Sequence, residues 1–243
     1  MKVLTGILVV GLLAAPLVQA QGYARGGGHH GNQSCAVAKL PYQEVDATER
    51  EDLILMREEE KLARDVYVAL DDLWGMRVFR NIAGAERSHM QAVLSLLEKY
   101  GIGDPTDGNA VGEFSDPDLQ GLYSQLVEQG SQSLIDALTV GAIIEDLDIH
   151  DLDVALLRTD NEDIRTVYQN LRKGSRNHLR AFVGLLEGSG VPYEPQYISI
   201  DEFEQILDTP HERGCLDADG NPQDGPGNAR PGNHHPRHPR HDR

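Results

Sequence analysis

From about residue 46 to residue 187 the apolar positions of this chain recur in steps of three and four. Leu53, Met56, Glu60, Ala63, Tyr67, Leu70 and Trp74 form the first such seam, the inward stripe of an amphipathic helix. Asp46-Ala47-Thr48-Glu49 has the spacing of a capping residue and its glutamate, and Gly75 ends the run. A second seam, Val78, Ile82, Ala85, His89, Val93, Leu96 and Tyr100, predicts a helix from about Arg77 to Tyr100, closed by Gly101 and Gly103-Asp104-Pro105. Residues 104–115 read as a turn-rich loop, and Asp116-Pro117 opens a shorter helix to about Gln129. Leu134, Leu138, Gly141, Glu145, Asp148, Leu152 and Ala155 predict a third long helix from about Ser133 to Leu157. Ile164, Val167, Leu171, Ser175, His178, Phe182 and Leu185 predict a fourth over about 161–187. After Gly188 the period is lost, apart from one short helix over Ile200 to Leu207. The fold class expected is all-α: a four-helix bundle over 46–188, its long crossover between the second and third long helices carrying a short extra helix.

Each long seam breaks near its middle with a polar group. Glu60 stands where a Leu would ordinarily be, with Glu58 and Glu59 expected on the solvated side. Glu86 lies beside the second seam and His89 within it, three residues apart and so neighbours on one helix face. Glu145 and Asp148 repeat that spacing on the third long helix, and Ser175 and His178 on the fourth. A buried unpaired carboxylate is costly, so these acids need a metal or a cation as partner. Glu60, Glu86, His89, Glu145, Asp148 and His178 together suit one or two first-row ions, with carboxylates bridging and imidazoles terminating. The spacing repeats in each half: Glu60 precedes His89 by 29 residues and Glu145 precedes His178 by 33. Taken singly, the residues have plainer readings. His89 or His178 could be a satisfied core histidine, and Glu60 or Glu145 could pair with Arg64, Arg176 or Arg180, leaving a bundle without metal. Tyr67 reads as a core residue bonded to a ligand carboxylate rather than a radical site, and His150 as a solvated residue off the seam.

On these residues the segment of roughly 48–187 resembles the ferritin-like superfamily, and the rubrerythrins most closely. Glu60 is followed seven residues later by Tyr67, Glu86 and His89 form the Glu-x-x-His of the second helix, and Asp148 is an extra acid three residues after Glu145. Arg57-Glu58-Glu59-Glu60-Lys61-Leu62-Ala63-Arg64-Asp65-Val66-Tyr67 and Gly174-Ser175-Arg176-Asn177-His178-Leu179-Arg180-Ala181-Phe182 look like an uncharacterised bacterial family of ferritin-like domains. The resemblance implies a carboxylate-bridged centre of one or two iron ions, or manganese, that reacts with dioxygen or peroxide. The chain departs from the pattern at one place: Ser175 stands where a fourth-helix Glu is usual, so one bridging carboxylate is missing and Asp148 is the candidate replacement.

The ends change the setting rather than the chemistry. Met1 to Ala20 has a basic start, an apolar run and a small-x-small ending, the form of a secretory signal peptide. The apolar run is short and wrongly flanked for a stable span, so no membrane association is expected after its removal. The expected location is periplasmic or secreted. Residues 21–45 read as a Gly-rich flexible arm, 189–213 as a short C-terminal extension, and 214–243 as a disordered His/Pro/Gly-rich tail. Asp217-Ala218-Asp219-Gly220-Asn221 reads as a turn, its Gly placed too early for a calcium loop. Cys35 and Cys215 flank the bundle, and outside the cytoplasm such a pair is expected to form a disulfide. Two cysteines cannot supply a four-thiolate iron module. The formal charge of −17 argues against nucleic acid as a partner and suits cations. The partners expected are metal ions and dioxygen or peroxide, with a homodimer as a further option. Two functions follow: a ferroxidase or peroxide-reducing metal centre, or a module that sequesters metal ions without turnover.

Overall fold

The computed structural model describes residues 40–223. The leader at 1–20, Cys35 and the His-rich stretch from residue 224 lie outside the described residues. Six helices follow in order: α1 (Ala47–Trp74), α2 (Arg77–Lys99), α3 (Pro117–Gly130), α4 (Leu134–Leu156), α5 (Glu162–Gly188) and α6 (Ile200–Asp208). Among the described residues no strand forms, and a single bridge joins Leu216 to Pro222. The class is all-α. None of these helices is long and apolar enough to cross a membrane.

Local signals set the helix ends. Asp46 accepts from the Glu49 amide while the Glu49 carboxylate accepts from the Asp46 amide, both at 2.9 Å, which closes the expected capping box. Gly75 turns left-handed at φ 63° to stop α1, a conformation that favours glycine. Asp116 caps α3 with Pro117 in its first turn, and Ser133 and Ser199 cap α4 and α6.

The long helices pack as α1 on α2 and α4 on α5, with α2 against α5 and α1 against α4 closing the ring; α3 lies across α1 and α4. Their apolar faces make two separate clusters. Leu53, Met56, Val93, Leu96, Leu152, Ile164 and Leu171 belong to one. Val66, Tyr67, Phe79, Ile82, Ile143, Leu179 and Phe182 belong to the other, which also receives Leu119, Leu122 and Leu126 from α3. On α1, α2 and α5 the residues between the clusters are the polar breaks: Glu60, then Glu86 with His89, then Ser175 with His178. The core is thus two apolar blocks with a polar layer between them.

Three expectations need correcting. Glu58 is not solvated: it is buried and its Oε1 accepts from the amides of Ser115 and Asp116, tying the 104–115 loop to α1. Glu59 is only partly solvated: it is half-buried, and its Oε2 is shut off from solvent without a hydrogen-bond partner. The reason is that α1 packs against three helices, so a second face is covered besides the seam. His150 is only partly exposed, with Nδ1 3.0 Å from Asp151 and its ring beside Tyr197.

Both flanking segments are also held where they are described. Lys99 donates to the carbonyls of Leu40 and Pro41, and Asn161 to that of Glu44. Residues 214–223, expected to be part of a disordered tail, take a defined course: Asn170 donates to the Leu216 carbonyl and accepts from its amide. Asp217 accepts from the amides of Asp219 and Asn221 in the expected turn. Cys215 is disulfide-bonded.

Candidate metal centre

Five of the six candidate metal residues converge in the polar layer. They form two triads, Glu60/Glu86/His89 and Glu86/Glu145/His178, within each of which one ligand atom per residue lies within 4.8 Å of the others. Glu86 belongs to both. Its Oε2 is 2.7 Å from His89 Nδ1, and its Oε1 is 2.8 Å from His178 Nδ1. Glu60 Oε2 completes the first triad at 3.2 Å from His89 Nδ1, and Glu145 Oε2 the second at 3.3 Å from His178 Nδ1. The two imidazoles lie nearly parallel, 5.7 Å apart. One carboxylate with an oxygen facing each of two histidines is a bridging arrangement. Helix α2 provides it because Glu86 and His89 share a face one turn long.

Glu60, Glu86 and Glu145 are each 1–2% exposed, so their charge has to be met inside the protein. The arginines that offered a plainer reading are engaged elsewhere. Arg64 pairs with Asp65, and Arg176 and Arg180 pair with Glu212. Lys61, buried one residue from Glu60, donates to Asp65 and to the carbonyls of Ala110 and Glu113. Glu60 Oε1, Glu86 Oε1 and His178 Nδ1 are buried without a hydrogen-bond partner. His178 Nδ1 and Glu86 Oε1 approach to 2.8 Å, close enough to face a common ion. The donor set, oxygen-rich with two imidazoles, fits iron or manganese.

Without a cation, the histidines and carboxylates of the cluster shift one another's titration. Burial alone would lower His178, but Glu86 and Glu145 outweigh it and hold the imidazole at about 10. His89 is likewise held well above its ordinary value, with Glu86 and Glu60 overcoming burial. Glu86 lies below the ordinary carboxylate range because the two histidines outweigh its burial. Burial pushes Glu60 well above that range, against the pull of His89.

Asp148, the sixth residue, stands outside both triads. It accepts a short hydrogen bond from Ser175 Oγ, and Ser175 also donates to the Leu171 carbonyl. The hydroxyl at the fourth-helix position therefore holds the neighbouring carboxylate in place. Burial, reinforced by Glu145, raises Asp148 to about 7. Tyr67 takes the role expected of it, its hydroxyl donating to Glu145 Oε1 at 2.5 Å. Two glycines make room: a Cβ on Gly174 would stand 2.5 Å from both Cε1 and Nε2 of His89, and one on Gly141 would enter the Phe182 ring. Phe182, Tyr67 and Phe79 stack mutually below the centre at 5.4 to 6.4 Å.

The sequence reading missed two acids. Glu59 faces the Asp148 and Asp151 side of α4, where its carboxylate is raised well above the ordinary range by burial and then by Asp151 and Asp148. Asp146, fully buried, accepts from Tyr193 Oη and from the amides of Gln196, Tyr197 and Ile198, folding the segment after α5 back over α4. No local spacing signals it, because its partners lie 47 to 52 residues away.

Residues 49–210, which hold every residue of the two triads, match a family described as an uncharacterized protein domain, DUF2202. The chain is similar to uncharacterized protein MJ0754 of Methanocaldococcus jannaschii, 54% identical over 178 residues that make 73% of this chain and 96% of that protein. The crystal structure of hypothetical protein MJ0754 from Methanococcus jannaschii aligns with a TM-score of 0.71 at 55% identity, over 72% of this chain and 99% of that one. The chain belongs to the DUF2202 family.

Proposed function

We propose that this protein is a ferritin-like metal-binding protein whose paired triads hold two iron or manganese ions and whose redox chemistry is directed at dioxygen or peroxide. The observation that carries the reading is Glu86, with one oxygen facing each histidine while the neighbouring lysine and arginines are engaged by other carboxylates. Glu60 and His89 would hold one ion, Glu145 and His178 the other, and Glu86 both. Bound iron would supply one-electron redox chemistry, its ferrous state passing electrons to dioxygen or peroxide. Tyr67 fixes the Glu145 carboxylate, and Ser175 fixes Asp148 beside the pair. The leader-like start of the chain supports a periplasmic or secreted setting.

A second reading, binding without turnover, is favoured by one observation: Asp148 is engaged by Ser175 and lies outside the triads, so the paired site has three carboxylates and lacks a fourth. The test is metal analysis of tag-free protein, then ferrous oxidation under air in wild type, Glu145→Ala and Asp148→Ala. Two ions per chain with oxidation lost in Glu145→Ala supports the catalytic reading. Background rates in all three proteins, with metal bound, support sequestration. Protein that holds no iron or manganese after reconstitution defeats both.

A further inference from the structure

A cavity of ≈ 30 Å³ lies between α1, α3 and α4, on the side of the polar layer away from α2 and α5. Most of its wall is apolar, including Leu62 and Ala63 of α1, Leu122 and Leu126 of α3, and Ile143 of α4. Its acids are Glu59, Asp148 and Asp151. Two of its wall residues follow metal-site residues by one helical turn: Ala63 comes three after Glu60, and Asp148 three after Glu145. Asp148 therefore separates the cavity from the triads, facing the cavity while bonded to Ser175.

The volume accommodates about two water-sized molecules, and a cavity walled mainly by leucine and isoleucine side chains favours an apolar occupant over water. Hydrogen peroxide is a poorer match, because outside the three carboxyl groups the leucine and isoleucine wall replaces none of the hydrogen bonds it makes in water. Dioxygen is diatomic and apolar, and entering loses it no hydrogen bonds. We propose that this cavity is a holding site for dioxygen serving the metal centre, and that dioxygen rather than peroxide is the oxidant the protein is built to use. This rests on the redox reading above and selects between its two oxidants. Helix α3 supplies three walls of the cavity, Leu119, Leu122 and Leu126, and none of the six candidate metal residues. It can be altered without touching a ligand.

Two measurements test this. Crystals of the full-length, metal-free protein under xenon should show a xenon atom among Leu62, Leu122 and Ile143; a cavity that stays empty overturns the proposal. In iron-loaded protein, Leu122→Phe fills the space. It should raise the half-saturating dioxygen concentration for ferrous oxidation about tenfold while leaving the rate at saturating dioxygen unchanged. Peroxide-driven oxidation should be unaffected. Leu126→Phe serves if Leu122→Phe does not fold, as judged by circular dichroism and iron content. A folded variant that excludes xenon yet keeps the wild-type dioxygen dependence overturns the proposal, as does an equal loss with both oxidants. Ferrous iron left unoxidised by either oxidant in the wild type would bring down the redox reading and this proposal together, whatever the xenon result.

Discussion

Tyr67 donates its hydroxyl to Oε1 of Glu145 at 2.5 Å, while the other oxygen of that carboxylate faces His178. The phenol thus sets the rotation of a triad carboxylate on another helix. Tyr67→Phe keeps the ring stack with Phe79 and Phe182 and removes only the hydroxyl. Partners of this kind typically change metal affinity by about 10–100-fold. The expected result is a loss of that order for the second ion bound, with the first unchanged, read by calorimetric titration. Unchanged affinity for both would show that the hydroxyl does not orient the site.

Glu86 serves both triads, so its removal should differ in kind from that of any other ligand. Glu86→Ala is expected to abolish binding of both ions, whereas Glu60→Ala and Glu145→Ala should each leave one. Stoichiometry after equilibrium dialysis decides it. A Glu86→Ala protein that still holds two ions would rule out the bridge.

Gly174 lets His89 lie against α5. Alanine there would gain up to about 1 kcal/mol of helix propensity, but its Cβ falls 2.5 Å from two His89 ring atoms. Gly174→Ala should displace His89 and weaken the Glu60/Glu86/His89 triad while leaving Glu145 and His178 able to bind. A nuclear resonance titration following the two histidines separately would show one responding to metal and the other silent. Equal responses would mean the ring can move aside without loss.

Glu212 gives a pH dependence remote from the metal layer. Burial pushes its carboxyl up, but hydrogen bonds and charge from Arg176, then Arg180, outweigh this and hold it below the ordinary value. A carboxylate lowered on folding contributes stability that is present above its unfolded value and is lost as pH falls through the folded one. Acidification below the usual carboxylate range should therefore loosen residues 209–216 before the bundle. Hydrogen exchange of that segment should rise with acid in the wild type, and already be raised at neutral pH in Glu212→Gln. Identical exchange in the two proteins at neutral pH would remove Glu212 as the anchor.

Cys215 is disulfide-bonded, and Cys35 is the other cysteine of the sequence. Unreduced native protein should show no free thiol. A count of two would refute the pairing.

The helices and most of the site were legible in the chain because both express a period. Glu60, Glu86, His89, Glu145 and His178 could be found as polar interruptions of apolar seams, and the structure brings these five together. Glu58 and Glu59 were misplaced because a seam reports one helix face, whereas α1 is covered on more than one. Asp146 was illegible for another reason: its partners lie 47 to 52 residues away in an aperiodic segment, and no local pattern announces amides that need an acceptor. The sharing of Glu86 between two triads is likewise a matter of helix rotation, which spacing alone does not set.

The division of the interior into two apolar blocks has a consequence for how the protein melts. Without an ion, the blocks meet across carboxylates and imidazolium groups whose mutual fit depends on protons. Ions held by the two triads would cross-link the four long helices at mid-height through side chains that the unfolded chain cannot present together. Occupancy then adds stability by mass action, about 2.7 kcal/mol at a free ion concentration one hundred times the dissociation constant. A calorimetric scan should then change from a broad transition in the stripped protein to a single sharper one at higher temperature as ions are added.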